Sequence, residues 1–297
     1  MTERMEKKLK EELKKRLTAY QGILFNYPEF EKGNGEIVYD LHCPQYDELI
    51  RKYKVDQIAS GRGEFEKATA LLRYFSPRLS HNSWAGQSLP CDSISLLDYA
   101  LDNDEHGIGC FHKSKILEEC CLACGIFARR AFIHPFSPYD FDNHVVMEMY
   151  DTQMNKWIML DPTSGGYFTD DKNNPLSVLE IRDMLASEKE IRFVSTQAAD
   201  EETMLEETVY IAKNMFYFSY DQYSGYGEKE GKIWLVPSGY DLKKNQIANL
   251  RFILNHLPED QMKRKGEFLD EIDRIQANTD SIVYADLSSI TEKPKLL

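Results

Sequence analysis

Three residues carry the chemistry this sequence can offer. Cys110 follows Gly107-Ile108-Gly109 and opens a stretch with helical spacing. A thiol at a helix N-terminus sits at the positive end of the dipole, which favours thiolate and makes the sulfur a nucleophile. The two glycines let the backbone approach a ligand closely and leave room around the sulfur. Unpaired N–H groups of the first turn can receive an oxyanion. A lone cysteine is otherwise a small buried hydrophobe, so its partners decide. His144 and Asp161 begin and end a predicted hairpin, with strands His144–Tyr150 and Asn155–Asp161 joined by Asp151-Thr152-Gln153-Met154. A turn centred between Thr152 and Gln153 places His144 directly across from Asp161, Val146 from Met159 and Glu148 from Trp157. Opposite residues in a non-hydrogen-bonded pair have Cβ atoms roughly 4.5–5.5 Å apart. An Asp there holds the imidazole's tautomer and stabilises the imidazolium, freeing the other ring nitrogen to act on a thiol. The bland alternative is a structural His–Asp hydrogen bond, and a slip of one residue in register would break the pairing.

The elements that must position these residues are read from periodicity. Residues 111–124 read as a helix with Leu117, Cys121 and Cys124 along one side and Ile116 and Cys120 beside them, while Lys113, Lys115, Glu118 and Glu119 are expected to face water. Gly125 stands where a C′ glycine ends a helix. Ala128–Ile133 reads as a strand, and Pro135–Asn143 as a loop rich in Pro, Asp and aromatics. On the hairpin, Val145, Met147, Met149, Ile158 and Leu160 form an apolar face directed at the core. Upstream, Glu64–Phe75 is predicted helical with Phe65, Ala68, Leu71, Leu72 and Phe75 inward, as is Ser93–Leu101. Met5, Leu9, Leu13 and Leu17 make one stripe of an N-terminal amphipathic helix that docks on something larger. Asn26-Tyr27-Pro28, Gly33-Asn34-Gly35 and Cys43-Pro44 are turn signals between short elements over residues 21–60. In the C-terminal third, helices are predicted over Glu201–Tyr217, Gln246–Leu257 and Met262–Ala277, and strands over Lys232–Pro237 and Ser281–Asp286. The expected organisation is an N-terminal helix and irregular extension (1–60), a catalytic core (61–187) and an appendage packed on that core (188–297).

Composition bounds the function class. The 297 residues include 36 Lys+Arg against 49 Asp+Glu, a formal net charge of −13. That balance argues against nucleic acid and anionic membranes as partners, because both require a basic face. Hydrophobic residues make up 42%, enough to build a core and to exclude global disorder. No stretch of about 18 apolar residues exists to span a membrane. The charged segment Met1–Tyr20 has no apolar h-region of a secretory signal. Of six cysteines, Cys110, Cys120, Cys121 and Cys124 fall within fifteen residues, a poor layout for disulfides. A cytoplasmic setting with reduced thiols is therefore expected.

The order Gly109-Cys110, Gly125-Ile126-Phe127-Ala128-Arg129, His144-Val145-Val146-Met147-Glu148 and Trp157-Ile158-Met159-Leu160-Asp161-Pro162-Thr163 resembles the transglutaminase-like superfamily, over about 55 residues. The resemblance implies an α+β, papain-like fold with the nucleophile on a central helix packed on an antiparallel sheet. It implies a thiol that forms an acyl-enzyme, with Cys110 as nucleophile, His144 as general base and acid and Asp161 as the orienting residue. Departures exist: the position two after the histidine is often aromatic there and is Val146 here. Phe111 stands where transglutaminases usually carry Trp. The superfamily holds transglutaminases, proteases, peptide N-glycanases and members that have lost catalysis, so it does not fix the reaction. Polar or indole N–H donors upstream of the nucleophile complete the oxyanion site in related enzymes, which points to Trp84, with Gln87 close by.

Neighbouring features have simpler readings. Cys121-Leu122-Ala123-Cys124 is a CxxC inside the helix, without a second CxxC or a His pair to complete a zinc site. It is expected to pack in the core, and neither a metal nor a cofactor is expected. His112 is expected at the surface and Arg129 in a structural salt bridge. Tyr139-Asp140-Phe141-Asp142-Asn143 and Asp102-Asn103-Asp104-Glu105 are either solvated loops or an anionic rim suited to an amine-bearing or basic peptide or protein substrate. The functional expectation is a cysteine-dependent acyl-transfer enzyme that hydrolyses, deamidates or transamidates a peptide amide. A catalytically silent binding module retaining the fold is the alternative.

Overall fold

The computed structural model describes residues 3–84, 88–103, 105–277 and 282–295. An N-terminal helix, α1 (Glu3–Phe25), is followed by a two-residue strand β1 (Val38–Tyr39) and helices α2 (Gln45–Tyr53), α3 (Val55–Ile58), α4 (Glu64–Phe75) and α5 (Ser93–Asp102). Next come α6 (Cys110–Ala123) and three strands, β2 (Ala128–His134), β3 (His144–Asp151) and β4 (Lys156–Leu160). The chain continues through β5 (Gly166–Thr169), α7 (Val178–Ala186), β6 (Arg192–Ser195), α8 (Glu201–Asn214), β7 (Tyr217–Asp221), β8 (Tyr223–Ser224) and β9 (Lys232–Leu235). It closes with α9 (Leu242–Asn255), α10 (Lys265–Ala277) and α11 (Leu287–Thr291). Helices and antiparallel sheet are thus segregated in an α+β arrangement.

The central sheet has the order β4-β3-β2-β7-β9, with every neighbouring pair antiparallel. Residues 188–297, expected as an appendage, supply two of its five strands. Of the C-terminal elements predicted from sequence, Ser281–Asp286 forms no strand among the described residues. Its described part bridges singly, Tyr284 to Trp234 and Ala285 to Gly35, and Ser281 lies outside the described residues. The helix predicted from Met262 begins at Lys265, after a 3₁₀ turn over Glu259–Arg264.

Both faces of the sheet are buried. Met147, Met149, Ile158, Leu160 and Ala128 pack in one cluster with α2, α4, α5 and α6. Val146, Trp157, Met159, Phe218, Tyr220, Ile233 and Leu235 pack in another, against residues of α1, α7 and α8. On α1, Leu13 is buried, and Leu17 and Leu24 pack against that second cluster; the side chain of Met5 lies outside the described residues. No helix among the described residues is long and apolar enough to cross a membrane.

Helix α6 departs most from its sequence pattern. Lys113, Lys115, Glu118 and Glu119, expected in water, are all buried, and so is His112, expected at the surface. The sheet covers one side of α6 while α2, α4 and α5 cover others, so no face is left for solvent. The charges of Lys115, Glu118 and Glu119 are satisfied instead by pairing. Lys115 Nζ lies 3.1 Å from Glu118 Oε2 and 3.2 Å from Glu119 Oε1, and donates to the Gly225 carbonyl at 2.7 Å. Glu119 accepts from the backbone N–H and hydroxyl of Ser93, at the start of α5, and from the Gly227 N–H. The helix ends as expected: Gly125 has φ +74°, with its N–H on the Leu122 carbonyl and that of Ile126 on the Cys121 carbonyl. That is the Schellman pattern, and it turns the chain directly into β2.

On the second face, Arg129 of β2 meets Glu148 of β3 at 2.7 Å, both side chains buried. The same Arg129 Nη2 donates to the Ile290 carbonyl, and Glu148 Oε1 accepts the Val178 N–H at the start of α7. One ion pair thus ties the sheet to α7 and α11. Arg129→Met leaves a carboxylate buried without its cation, and is predicted to cost about 3–5 kcal/mol in urea denaturation. The double variant Arg129→Met/Glu148→Met should recover part of that loss; a double variant no better than the single one would show that the pair is not what holds these elements.

Candidate active site

The nucleophile candidate sits where a tight backbone approach places it. Residues 80–82 run parallel to 107–109: the Asn82 N–H bonds the Ile108 carbonyl at 3.1 Å, and the Ile108 N–H bonds the Ser80 carbonyl at 3.0 Å. A Cβ on Gly107 would stand 2.6 Å from the Asn82 Cβ, so only glycine allows this contact. Gly109 has its nearest such neighbour at 3.7 Å and is not constrained in that way. Gly109 is the N-cap residue of α6 and has no side chain to cap it. The contrast is with α5, α7, α8, α9 and α11, each capped by an Asp or Ser side chain. The first two N–H groups of α6, at Cys110 and Phe111, therefore have no carbonyl or capping side chain to bond among the described residues.

The hairpin register differs from the expected one by two residues. Observed pairs are Met147↔Leu160, Glu148↔Met159, Met149↔Ile158 and Tyr150↔Trp157. Asp151 moves the turn. Its Oδ1 accepts the N–H groups of Gln153 and Met154, and Asn155 takes the left-handed conformation, so the turn spans 152–155. The other carboxylate oxygen of Asp151 accepts the Phe65 N–H and caps α4 from a distance. A shift of two keeps each side chain on its expected face. It places His144 diagonal to Asp161 rather than opposite.

The pair forms all the same. His144 Nε2 donates to Asp161 Oδ2 at 2.8 Å, with both side chains buried. Asp161 is fixed locally: its Oδ1 accepts the N–H groups of Thr163 and Ser164, and its own N–H bonds the Gly166 carbonyl. The half-buried thiol of Cys110 stands near enough to the imidazole to favour its protonated form. Since Nε2 is held by Asp161, Nδ1 is the ring nitrogen left to serve the thiol.

The electrostatics derive from this geometry. Burial pushes the His144 imidazole down, but the Asp161 carboxylate, its hydrogen bond and the nearby Cys110 sulfur outweigh it and hold its pKa well above the ordinary value. Burial pushes the Asp161 carboxyl up, and the imidazolium together with two backbone N–H donors brings it below the ordinary carboxylate value. The other cysteines of α6 differ in kind. Burial raises Cys120 and Cys121 well above a free thiol, and Cys124 to about 11. Cys121 and Cys124 pack in the cluster under α6.

Trp84 is half-buried two residues beyond the segment that pairs with 107–109, and its backbone N–H donates to Asn82 Oδ1 at 3.0 Å. Gln87 and Asp104 lie outside the described residues. Phe111 packs against Phe132 and the Arg130 guanidinium. The Pro135–Asn143 loop is pinned from α8, where Lys213 Nζ lies 3.1 Å from Asp140 and 3.2 Å from Asp142. Two of the carboxylates of the expected anionic rim are thereby engaged within the protein. Asp102, Asn103 and Glu105 are exposed.

Two residues at the site escaped the sequence reading. Tyr210 of α8 sets its ring 5.2 Å from His144 at 66° and donates its hydroxyl to Asp142 at 3.2 Å. Glu207, one turn earlier, accepts the Ser164 hydroxyl at 2.7 Å beside the Asp161 turn. Neither lies in a motif, and only the packing of α8 brings them there.

Comparisons with known proteins add little. A scan against protein-family models gives no match, and neither does a comparison with curated proteins. Among solved structures the chain is similar to a protein described as "a Putative Cysteine Protease from Cytophaga hutchinsonii", with 20% identity and a TM-score of 0.32. The alignment covers 41% of this chain and 40% of that one, so the chain spans about two-fifths of its length.

Because its pKa is raised by folding, His144 contributes stability in full below the unfolded imidazole value and loses it as pH climbs through the folded one. Asp161, lowered by folding, contributes above the unfolded carboxylate value and loses it as pH falls through its folded one. The difference in melting temperature between wild type and His144→Gln is therefore predicted to be largest between about pH 4 and 6.5 and to shrink on either side. A difference independent of pH would argue that the pair is not ionised. Gly107→Ala is predicted to destabilise by about 1–3 kcal/mol through overpacking against Asn82, while Gly109→Ala stays near wild type; equal effects in thermal melts would contradict the contact.

Proposed function

We propose that this protein is a cysteine-dependent acyl-transfer enzyme acting on an amide of a peptide or protein, with the papain-like arrangement found in the transglutaminase-like superfamily. The observation that carries it is His144 bonded to a buried Asp161 and near the Cys110 thiol, which opens α6 at an uncapped N-terminus. His144 takes the proton of the Cys110 thiol, which leaves a thiolate beside an imidazolium. The sulfur attacks the amide carbonyl carbon, and the developing oxyanion is received by the Cys110 N–H, with Trp84 as the second donor. The C–N bond breaks as the imidazolium gives its proton to the leaving amine. A water, or a second amine, then attacks the thioester while the imidazole takes up its proton, and sulfur leaves as thiolate. Asp161 keeps the imidazole oriented and balances its charge throughout.

Hydrolysis and deamidation both end with water on the thioester and differ in the amine released, whereas transamidation ends with a second amine. With Asp140 and Asp142 already paired to Lys213, a preference for basic substrates has lost part of its source of charge.

Labelling with a panel of electrophilic peptides, with the modified residue then mapped, tests the proposal. Modification is expected at Cys110, and Cys110→Ala is expected to reduce turnover by at least roughly 10⁴-fold while leaving the melting temperature close to wild type. Labelling mapped to another cysteine, or turnover retained in Cys110→Ala, would overturn it and leave a silent binding module as the account of the fold.

A further inference from the structure

Lys113 is the group at this site that the acyl-transfer steps do not use. It lies one helical turn after Cys110 on α6, a spacing that puts both side chains on one face of the helix. It is 3% exposed. Lys115, two residues on and equally buried, is held by two carboxylates at 3.1 and 3.2 Å. Lys113 forms no ion pair with any described residue. Burial lowers its pKa, and the charges that oppose this are Asp161 and Cys110. A buried ammonium without a counter-charge is costly, so the counter-charge must be found among those two.

The charge count identifies it. With Asp161 ionised and His144 protonated, the pair is neutral, and a Cys110 thiolate adds one uncompensated negative charge beside two buried side chains. One further cation brings the sum to zero, and Lys113 is the buried cation available. We propose that Lys113 is a positioning residue whose ammonium is the buried counter-charge of the Cys110 thiolate. The assignment rests on the acyl-transfer reading of Cys110 and deepens it. The field at Lys113 comes from Cys110 on its own helix, from Asp161 beyond β4 and from His81 on the segment paired with 107–109. His144, Tyr210 and Glu207 face Cys110 or Asp161 from β3 and α8.

Iodoacetamide alkylation of Cys110, quantified on the mapped peptide so that the other thiols do not count, is measured from about pH 5 to pH 9 on the full chain. Wild type is compared with Lys113→Met, Lys113→Gln and Lys113→Arg. In the neutral variants the rate near pH 6 is expected to fall on the order of tenfold, with the acid limb moved up by about one pH unit. Lys113→Arg should restore the wild-type limb. Lys113→Gln stands in if the Met variant does not fold, as judged by circular dichroism. A merely structural lysine would change the melting temperature and leave the limb where it is; an unmoved limb in a folded neutral variant overturns the assignment of Lys113 alone. A wild-type Cys110 that is not alkylated below about pH 7 overturns the acyl-transfer reading and Lys113's role together.

Discussion

The structure is organised around the burial of α6 from His112 to Leu122. A helix that buries Lys115, Glu118 and Glu119 must find partners for those charges, because an unpaired buried charge costs several kcal/mol. Those partners come from far along the chain. Ser93 caps onto Glu119 from α5, the Ser224 hydroxyl donates to Glu118, and Gly225 and Gly227 receive Lys115 and serve Glu119 from the segment beyond β7. Arg130 of β2 closes the network, with Nε 3.5 Å from Glu118. Satisfying one helix therefore obliges the C-terminal third to fold onto the same core as the residues before it.

That burial also fixes the thiol. The Schellman end at Gly125 sets where α6 meets β2, and the close approach of Asn82 to Gly107 sets where it begins. With both ends held, the Cys110 sulfur has little freedom relative to the strand that carries His144. The Arg129–Glu148 pair acts in the same way on the opposite face of the sheet, joining β2, β3 and the start of α7. Two buried ionic networks, one on each face, thus hold the strands from which His144 and Asp161 project.

Much of this was legible in the sequence. The bounds of α4 and α6 came from apolar spacing and from Gly125, and the apolar face of the hairpin came from alternation. The register did not, because it depends on Asp151. Its carboxylate binds the turn with one oxygen and the distant N-terminus of α4 with the other, and no local pattern announces the second contact. The polarity of α6 misled for the same reason: a charge on a helix face reads as solvated until the opposing Ser93, Ser224 or Gly227 is known.

By itself, then, the sequence determined the residue types at the site and their order: a cysteine at a glycine-marked helix start, a histidine opening a strand, and an aspartate closing the next. These are encoded locally, in spacing and in turn residues. The tertiary structure alone decided that His144 meets Asp161 across a diagonal, that Tyr210 and Glu207 flank the pair, and that Lys113 is buried without an ion pair among the described residues. Each depends on which distant segment excludes water from a side chain, and exclusion of water is a property of the packed molecule rather than of any stretch of chain.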